Sequence, residues 1–200
     1  MVDPFQITDF KRDDTALQEF WLFCVAVAGK KATMIASKID EFLSGRQDGE
    51  TPFDYVRRLA SEDRLIERMT EVRLGKYALL DKAWRFTVSE AGPDLRTAQA
   101  SELQSIHGVG FKTSRFFILH SRADADVAVI DTHVLKYLAS LGHEVPDTIP
   151  VGETYLRLEA IMLELARAVG MSMADFDLAV WKHYASGGAH PLPPSFSVAA

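Results

Sequence analysis

Two glycines one residue apart, Gly108 and Gly110, stand between two helical segments, and no other feature constrains the chain as tightly. The stretch reads E-L-Q-S-I-H-G-V-G-F-K-T-S-R-F-F-I-L-H-S over 102–121, followed by V-A-V-I-D-T-H-V-L-K-Y-L over 127–138. Glycine is what a tight link between two helices needs where the backbone takes positive φ or comes close to a ligand. The second helix begins near Phe111, so Lys112 falls in its first turn. There the backbone N–H groups have no acceptor within the helix, and amides and ammonium together form a cradle for phosphate. Nineteen residues after Lys112, beyond the apolar run 127–130, Asp131 stands just before another amphipathic segment.

The rest of the chain is patterned for helices. The first dozen residues are polar and read as an arm. Apolar residues fall almost all round a helix over about 15–28, the mark of a buried helix. Gly29-Lys30-Lys31 interrupts it before a second helix to about Leu43, with Met34, Ile35, Ile39 and Phe42 on one stripe. Thr51-Pro52-Phe53-Asp54 is a helix start, with threonine as N-cap, proline at the first helical position and an acid in the first turn. Ser61-Glu62-Asp63 predicts another, carrying Leu65, Ile66, Met69 and Val72. A helix over about 76–88 holds Tyr77, Leu80, Trp84 and Phe86, and Gly92-Pro93 then breaks the chain. Gly142 closes the helix after Asp131. An amphipathic helix over about 153–169, with Leu156, Ile161, Met162 and Leu165, ends at Gly170, and Ser172 with Asp175 opens the last. Pro191-Leu192-Pro193-Pro194 near the end reads as an ordered turn or a frayed tail. No segment alternates as a strand does.

Two hundred residues with 48% hydrophobic and 25% charged side chains have the make-up of a soluble globular protein of one or two domains. The net charge of −6 excludes bulk attraction to nucleic acid, so such binding needs a local basic face. Segment 101–122 supplies one, with Lys112, Arg115 and Arg122 against Glu102, and His107 and His120 in addition. The single Cys24 lies in an apolar setting and reads as a buried thiol. One cysteine builds neither a disulfide framework nor a cysteine-ligated zinc or iron–sulfur centre. No histidines or carboxylates stand at a convincing ligand spacing, so no metal site is expected. With no signal sequence and no apolar run long enough to span a bilayer, the expected setting is the cytoplasm, at the nucleoid if the source is prokaryotic.

G-V-G-F-K-T followed by V-I-D-T-H resembles the signature of the helix-hairpin-helix DNA glycosylases, the superfamily of endonuclease III and 8-oxoguanine glycosylase, and specifically its bifunctional glycosylase/AP lyases. The single cysteine departs from endonuclease III members that carry a four-cysteine cluster. D-L-x-x-W at 177–181, followed by Ala185-Ser186-Gly187, is similar to the last helix of the archaeal-type 8-oxoguanine enzymes. The resemblance implies an all-α fold of two helical subdomains flanking a DNA cleft: 29–126 as a helical barrel that contains the hairpin (101–122), and 1–28 packed with 127–200. It implies Lys112 as nucleophile and Asp131 as its catalytic partner. It also implies DNA contacts at the hairpin (His107, Gly108, Val109, Gly110, Thr113 and Arg115) and a base pocket near Phe176, Asp177, Trp181 and His133. A monovalent cation at the hairpin is compatible with it; no other cofactor is expected. The partner would be double-stranded DNA with a damaged base, bound by a monomer. The helix pair joined by Gly29 would lie at the DNA groove, where endonuclease III members place a wedge glutamine that is missing here.

The residues taken alone leave alternatives open. Lys112 also suits a hairpin that holds phosphate without chemistry, and Asp131 suits a plain N-cap worth about 1 kcal/mol. Lys30 and Lys31 fit either phosphate contact or solvation. Trp181 and Phe176 fit the core as well as a base pocket, Asp177 fits a cap, an ion pair or a base contact, and His133 is more often a packed residue than a catalytic one. The leading expectation is a glycosylase/AP lyase for an oxidised purine, chiefly 8-oxoguanine. An oxidised-pyrimidine enzyme, a non-catalytic DNA-binding module and a helical scaffold unrelated to DNA are the alternatives.

Overall fold

The computed structural model describes residues 2–193. Among them are ten helices and no strand: α1 (Asp14–Val27), α2 (Ala32–Leu43), α3 (Pro52–Ser61), α4 (Leu65–Glu71), α5 (Tyr77–Thr87), α6 (Ala100–Gln104), α7 (Phe111–Ser121), α8 (Thr132–Ser140), α9 (Gly152–Ala168) and α10 (Met173–Ala185). None of these is long and apolar enough to cross a membrane. Pro194, the last residue of the expected proline-rich turn, lies outside the described residues.

The chain divides into two compact units, Met1–Phe117 and Ile118–Ala200. In the first, α1 packs on α2, α3 and α5, and α5 also takes α3 and α4. Phe20, Trp21, Leu22, Phe23, Cys24, Val25 and Ala26 are all buried in succession, so α1 needs a neighbour on every side. Each large side chain so buried contributes about 1.5–3 kcal/mol. The Trp21 indole donates to Thr87 Oγ1 at 3.1 Å, which meets the polar requirement of an otherwise apolar centre. The division groups α1 with the helices that follow it, whereas the expected grouping joins 1–28 with 127–200. The first residues also differ from the expected arm. Val2 and Ile7 are buried, and the Arg12 guanidinium lies 4.0 Å from the centre of the Phe20 ring.

Most helix starts follow the capping chemistry in the sequence. Thr51 and Asp54 form a reciprocal capping box behind Pro52, and Ser172 Oγ accepts from the Asp175 amide. Ser61-Glu62-Asp63 does not cap a helix, and α2, α5 and α9 also start without a side-chain cap. Ser61 ends α3 and its hydroxyl donates to Arg58 O at 2.8 Å, while Asp63 takes φ +56° and turns the chain, so α4 starts uncapped at Leu65. Four expected stripe residues, Met34, Ile66, Phe86 and Leu156, are exposed.

In the second unit α10 packs on α8 and α9. The buried face of α9 is formed by Tyr155, Leu158, Glu159, Met162, Leu165 and Ala166. The segment of this unit that leads into Asp131, 128–130, is buried and lies outside any helix or strand.

Candidate active site

The hairpin is built by local rules. α6 is short and is held by a capping box in which the Gln99 amide donates to Glu102 Oε2 at 2.6 Å. Val109 N–H donates to Ile106 O at 3.0 Å, closing the turn over two buried apolar side chains. Ser114 Oγ donates to Phe111 O and accepts from Gln104 Nε2 at 3.3 Å, tying α6 to α7 across the turn. The two glycines differ. Gly108 has φ +81°, and a Cβ there would come within 2.7 Å of the Leu79 side chain. Gly110 is outside the left-handed region, and a Cβ there would meet nothing within 4 Å. The fold therefore requires glycine at 108 only, and position 110 is open to whatever approaches from outside.

Lys112 sits in the first turn of α7, half-buried, and no carboxylate among the described residues pairs with it. His107, Gly108 and Gly110 are exposed beside it and Val109 points inward. Thr113 and Arg115, expected at DNA, are buried, and the Arg115 guanidinium lies 4.7 Å from the centre of the Phe111 ring. At helical spacing these two positions fall on the core side of α7, so the turn presents Lys112 and the glycines without them.

Lys30 belongs to a cluster that reading along the chain does not reveal. Its ammonium donates to Leu74 O, Lys76 donates to Ala28 O, and Lys38 donates to Arg73 O. The loops 28–31 and 72–76 are thus clasped by reciprocal lysine–carbonyl bonds. Burial first, and the charges of Lys76 and Lys38 second, pull the Lys30 ammonium below its usual range. No carboxylate among the described residues pairs with these three lysines, and Lys31 and Arg73 are exposed beside them. The bonded pairs Lys30–Leu74 and Lys76–Ala28 are 44 and 48 apart in sequence, a distance that no local pattern reports.

In the second unit Asp131 is the N-cap of α8: Oδ1 accepts from the amides of His133 at 2.8 Å and Val134 at 2.9 Å. Both donors share one oxygen, which leaves Oδ2 without a partner among the described residues. The segment before it is held by α9. Ala128 N–H donates to Glu159 Oε1 at 3.0 Å, Ile130 N–H donates to the Tyr155 hydroxyl at 2.9 Å, and that hydroxyl donates to Ala128 O at 3.2 Å. Glu159 is a buried acid that the sequence reading misses, although it carries a signal there: an acid on the apolar face of a helix, one turn from Tyr155 and from Met162.

The expected base-pocket residues divide. Phe176 is fully buried and packs edge-on to Tyr137 at 5.7 Å. Asp177 is buried, with one carboxylate oxygen 3.2 Å from His120 Nε2. His133 stacks on Tyr184 with ring centres 5.9 Å apart, and its Nδ1 is buried without a partner. Trp181 is half-buried. Among the described residues no group of three or more His, Cys, Asp or Glu is placed to hold a metal ion.

No family model matches the chain. Among curated proteins it is 25% identical over 191 residues to the 8-oxoguanine DNA glycosylase/AP lyase of Thermoplasma volcanium, covering 90% of this chain and 85% of that one. It is 33% identical over 82 residues to the protein of the same name from a Thermotoga species, which covers 40% of this chain and 38% of the relative. Among solved structures, the 8-oxoguanine glycosylase/lyase of Methanocaldococcus jannaschii, in complex with a 15mer DNA containing 8-oxoguanine, superposes with a TM-score of 0.64 at 18% identity over 91% of this chain and 86% of that one. The 8-oxoguanine DNA glycosylase of Thermotoga maritima gives 0.65 at 22% identity over 88% of this chain and 83% of that one. The chain has the helix-hairpin-helix glycosylase fold. Within that glycosylase fold, α6, the 105–110 turn and α7 are the hairpin, with Lys112 in the first turn that follows it.

Proposed function

We propose that the chain is a bifunctional DNA glycosylase/AP lyase that removes an oxidised purine, chiefly 8-oxoguanine, from double-stranded DNA. The observation that carries this reading is the position of Lys112. A lysine with no carboxylate partner among the described residues stands directly after the hairpin, in a chain 25% identical over nine-tenths of its length to an enzyme of that name.

A base inside the duplex is out of reach, so the nucleotide is flipped out before reaction. The Lys112 amine, in its neutral form, attacks C1′; the C1′–N bond to the base breaks and the base leaves with its electron pair and takes up a proton. Positive charge develops on the sugar as this happens, and the free Oδ2 of Asp131 is the carboxylate assigned to stabilise it and to take the amine proton. The C1′–O4′ bond then breaks, O4′ takes up a proton as the sugar ring opens, and the Schiff base so formed acidifies C2′. Loss of a C2′ proton expels the 3′ phosphate and nicks the strand, and water then releases Lys112. The hairpin amides around Gly108 and Gly110 hold a phosphate, with a monovalent cation compatible at that turn. The reading includes a monomer that works in the cytoplasm.

Borohydride trapping on duplexes containing 8-oxoguanine, an oxidised pyrimidine or an abasic site, with wild type and Lys112→Gln, tests this. A covalent adduct on the 8-oxoguanine duplex that disappears in Lys112→Gln is expected. An adduct confined to the pyrimidine lesion overturns the substrate, and tight binding without an adduct on any duplex overturns the lyase.

A further inference from the structure

The run 127–130 lies outside any helix or strand, and Ala128, Val129 and Ile130 are all at most 2% exposed. Backbone buried outside helix and sheet leaves N–H and C=O groups that must find partners or cost about 1–3 kcal/mol each. Here α9 supplies them from side chains. Tyr155 and Glu159, one helical turn apart on the same buried face, take the amides of Ile130 and Ala128, and Tyr155 also donates to the Ala128 carbonyl. Two side chains thus fix three backbone groups in the three residues that lead into Asp131. On its other side Asp131 is fixed by its own Oδ1, which caps α8. Only Oδ2 remains for chemistry, and where it points depends on how firmly 128–130 is held.

From this geometry we infer that Tyr155 and Glu159 are positioning residues that act through Asp131: α9 clamps the 127–130 run so that the free carboxylate oxygen is held in its working direction. This rests on the glycosylase reading of Asp131 given above. Tyr155 is fully buried and Glu159 7% exposed, so both act through the backbone. Displacing a catalytic group by an ångström costs on the order of a hundredfold in rate, so loosening the clamp shows in the chemical step and leaves DNA affinity unchanged.

The test uses the full chain. Tyr155→Phe removes one hydroxyl and two of the three bonds with little change of shape. Glu159→Leu removes the third, and Glu159→Gln keeps the acceptor oxygen. Single-turnover excision on the 8-oxoguanine duplex should slow by about tenfold or more in Tyr155→Phe, with the Kd for that duplex within about twofold. Glu159→Gln should recover most of what Glu159→Leu loses. In an Asp131→Asn background Tyr155→Phe should add little further loss, since residues that work through one another are not additive. An equal loss in both backgrounds, or no loss in either, overturns the clamp. Hydrogen exchange at the amides of Ala128 and Ile130 reads the clamp without any chemistry and should quicken in Tyr155→Phe. Quickened exchange together with an Asp131→Asn enzyme as active as wild type sinks the glycosylase role of Asp131, and with it the positioning role, while leaving the hydrogen bonds as a purely structural tie.

Discussion

Replacing Gly108 with alanine should cost the fold more than about 1 kcal/mol, because the left-handed backbone at φ +81° penalises a Cβ by roughly that amount and Leu79 must also move. Gly110→Ala meets no atom within 4 Å and should change stability by less than about 0.5 kcal/mol. If a phosphate comes against that position, the same variant weakens DNA binding. Chemical denaturation and duplex titration of the two variants separate these duties, which the letters G-V-G alone do not. The buried thiol gives a second prediction for single residues. Burial pushes Cys24 well above the usual thiol range, with Arg12 pulling it partly back, and burial raises the Tyr137 phenol. For both groups the unfolded chain ionises first, so their contribution to stability is complete below the unfolded values of about 8.5 and 10 and declines as pH rises past them. Stability should therefore fall above about pH 9, and the decline between about pH 8 and 9.5 should be shallower in Cys24→Ala, as urea melts at several pH values would show.

At the scale of elements, Asp131 is both a cap and the assigned catalytic carboxylate, and the two roles come apart on substitution. Asp131→Asn keeps an oxygen that caps α8 about as well as aspartate does, whereas Asp131→Ala loses about 0.5–2 kcal/mol of helix stability. If the carboxylate stabilises charge on the sugar, both variants lose excision by about a hundredfold or more, although only alanine lowers the melting temperature. Equal activity in Asp131→Asn and wild type would leave a plain cap. The helix starts show what sequence can and cannot reveal about elements. Thr51 and Ser172 are legible in advance because the donor and acceptor of a cap lie within three residues. Ser61-Glu62-Asp63 misleads because the same residue types serve a turn when the backbone between two helices goes left-handed. The hairpin lysine is legible because a glycine turn and a helix start are both local events. Glu159 escapes a reading along the chain because its partner, the Ala128 amide, is 31 residues away.

For the whole molecule, composition and patterning forecast an all-helical protein with a sizeable core, and the fold agrees. The division of the chain is less legible, because α1 is apolar all round and offers no face that says which neighbours it will take. The lysine clasp belongs to this scale as well. Neutralising Lys76 or Lys38 by glutamine should lower the slope of log affinity for duplex against log salt by about 0.9 for each phosphate that the protein no longer neutralises, whereas an unchanged slope would assign the cluster to holding the two loops alone.

The same clasp bears on how such a protein would meet a polyanion. Overall the chain is negative by six charges, yet Lys30, Lys38 and Lys76 gather at the loops 28–31 and 72–76 with no carboxylate paired to them among the described residues. Beyond a screening length of about 8–10 Å the net charge governs and repels DNA, while inside it the local cations govern and attract. Encounter would then pass over a long-range barrier into a short-range well. Added salt first speeds association by lowering the barrier and later slows it by weakening the well, so the on-rate has a maximum at an intermediate ionic strength, and only approaches that present the lysine face are productive.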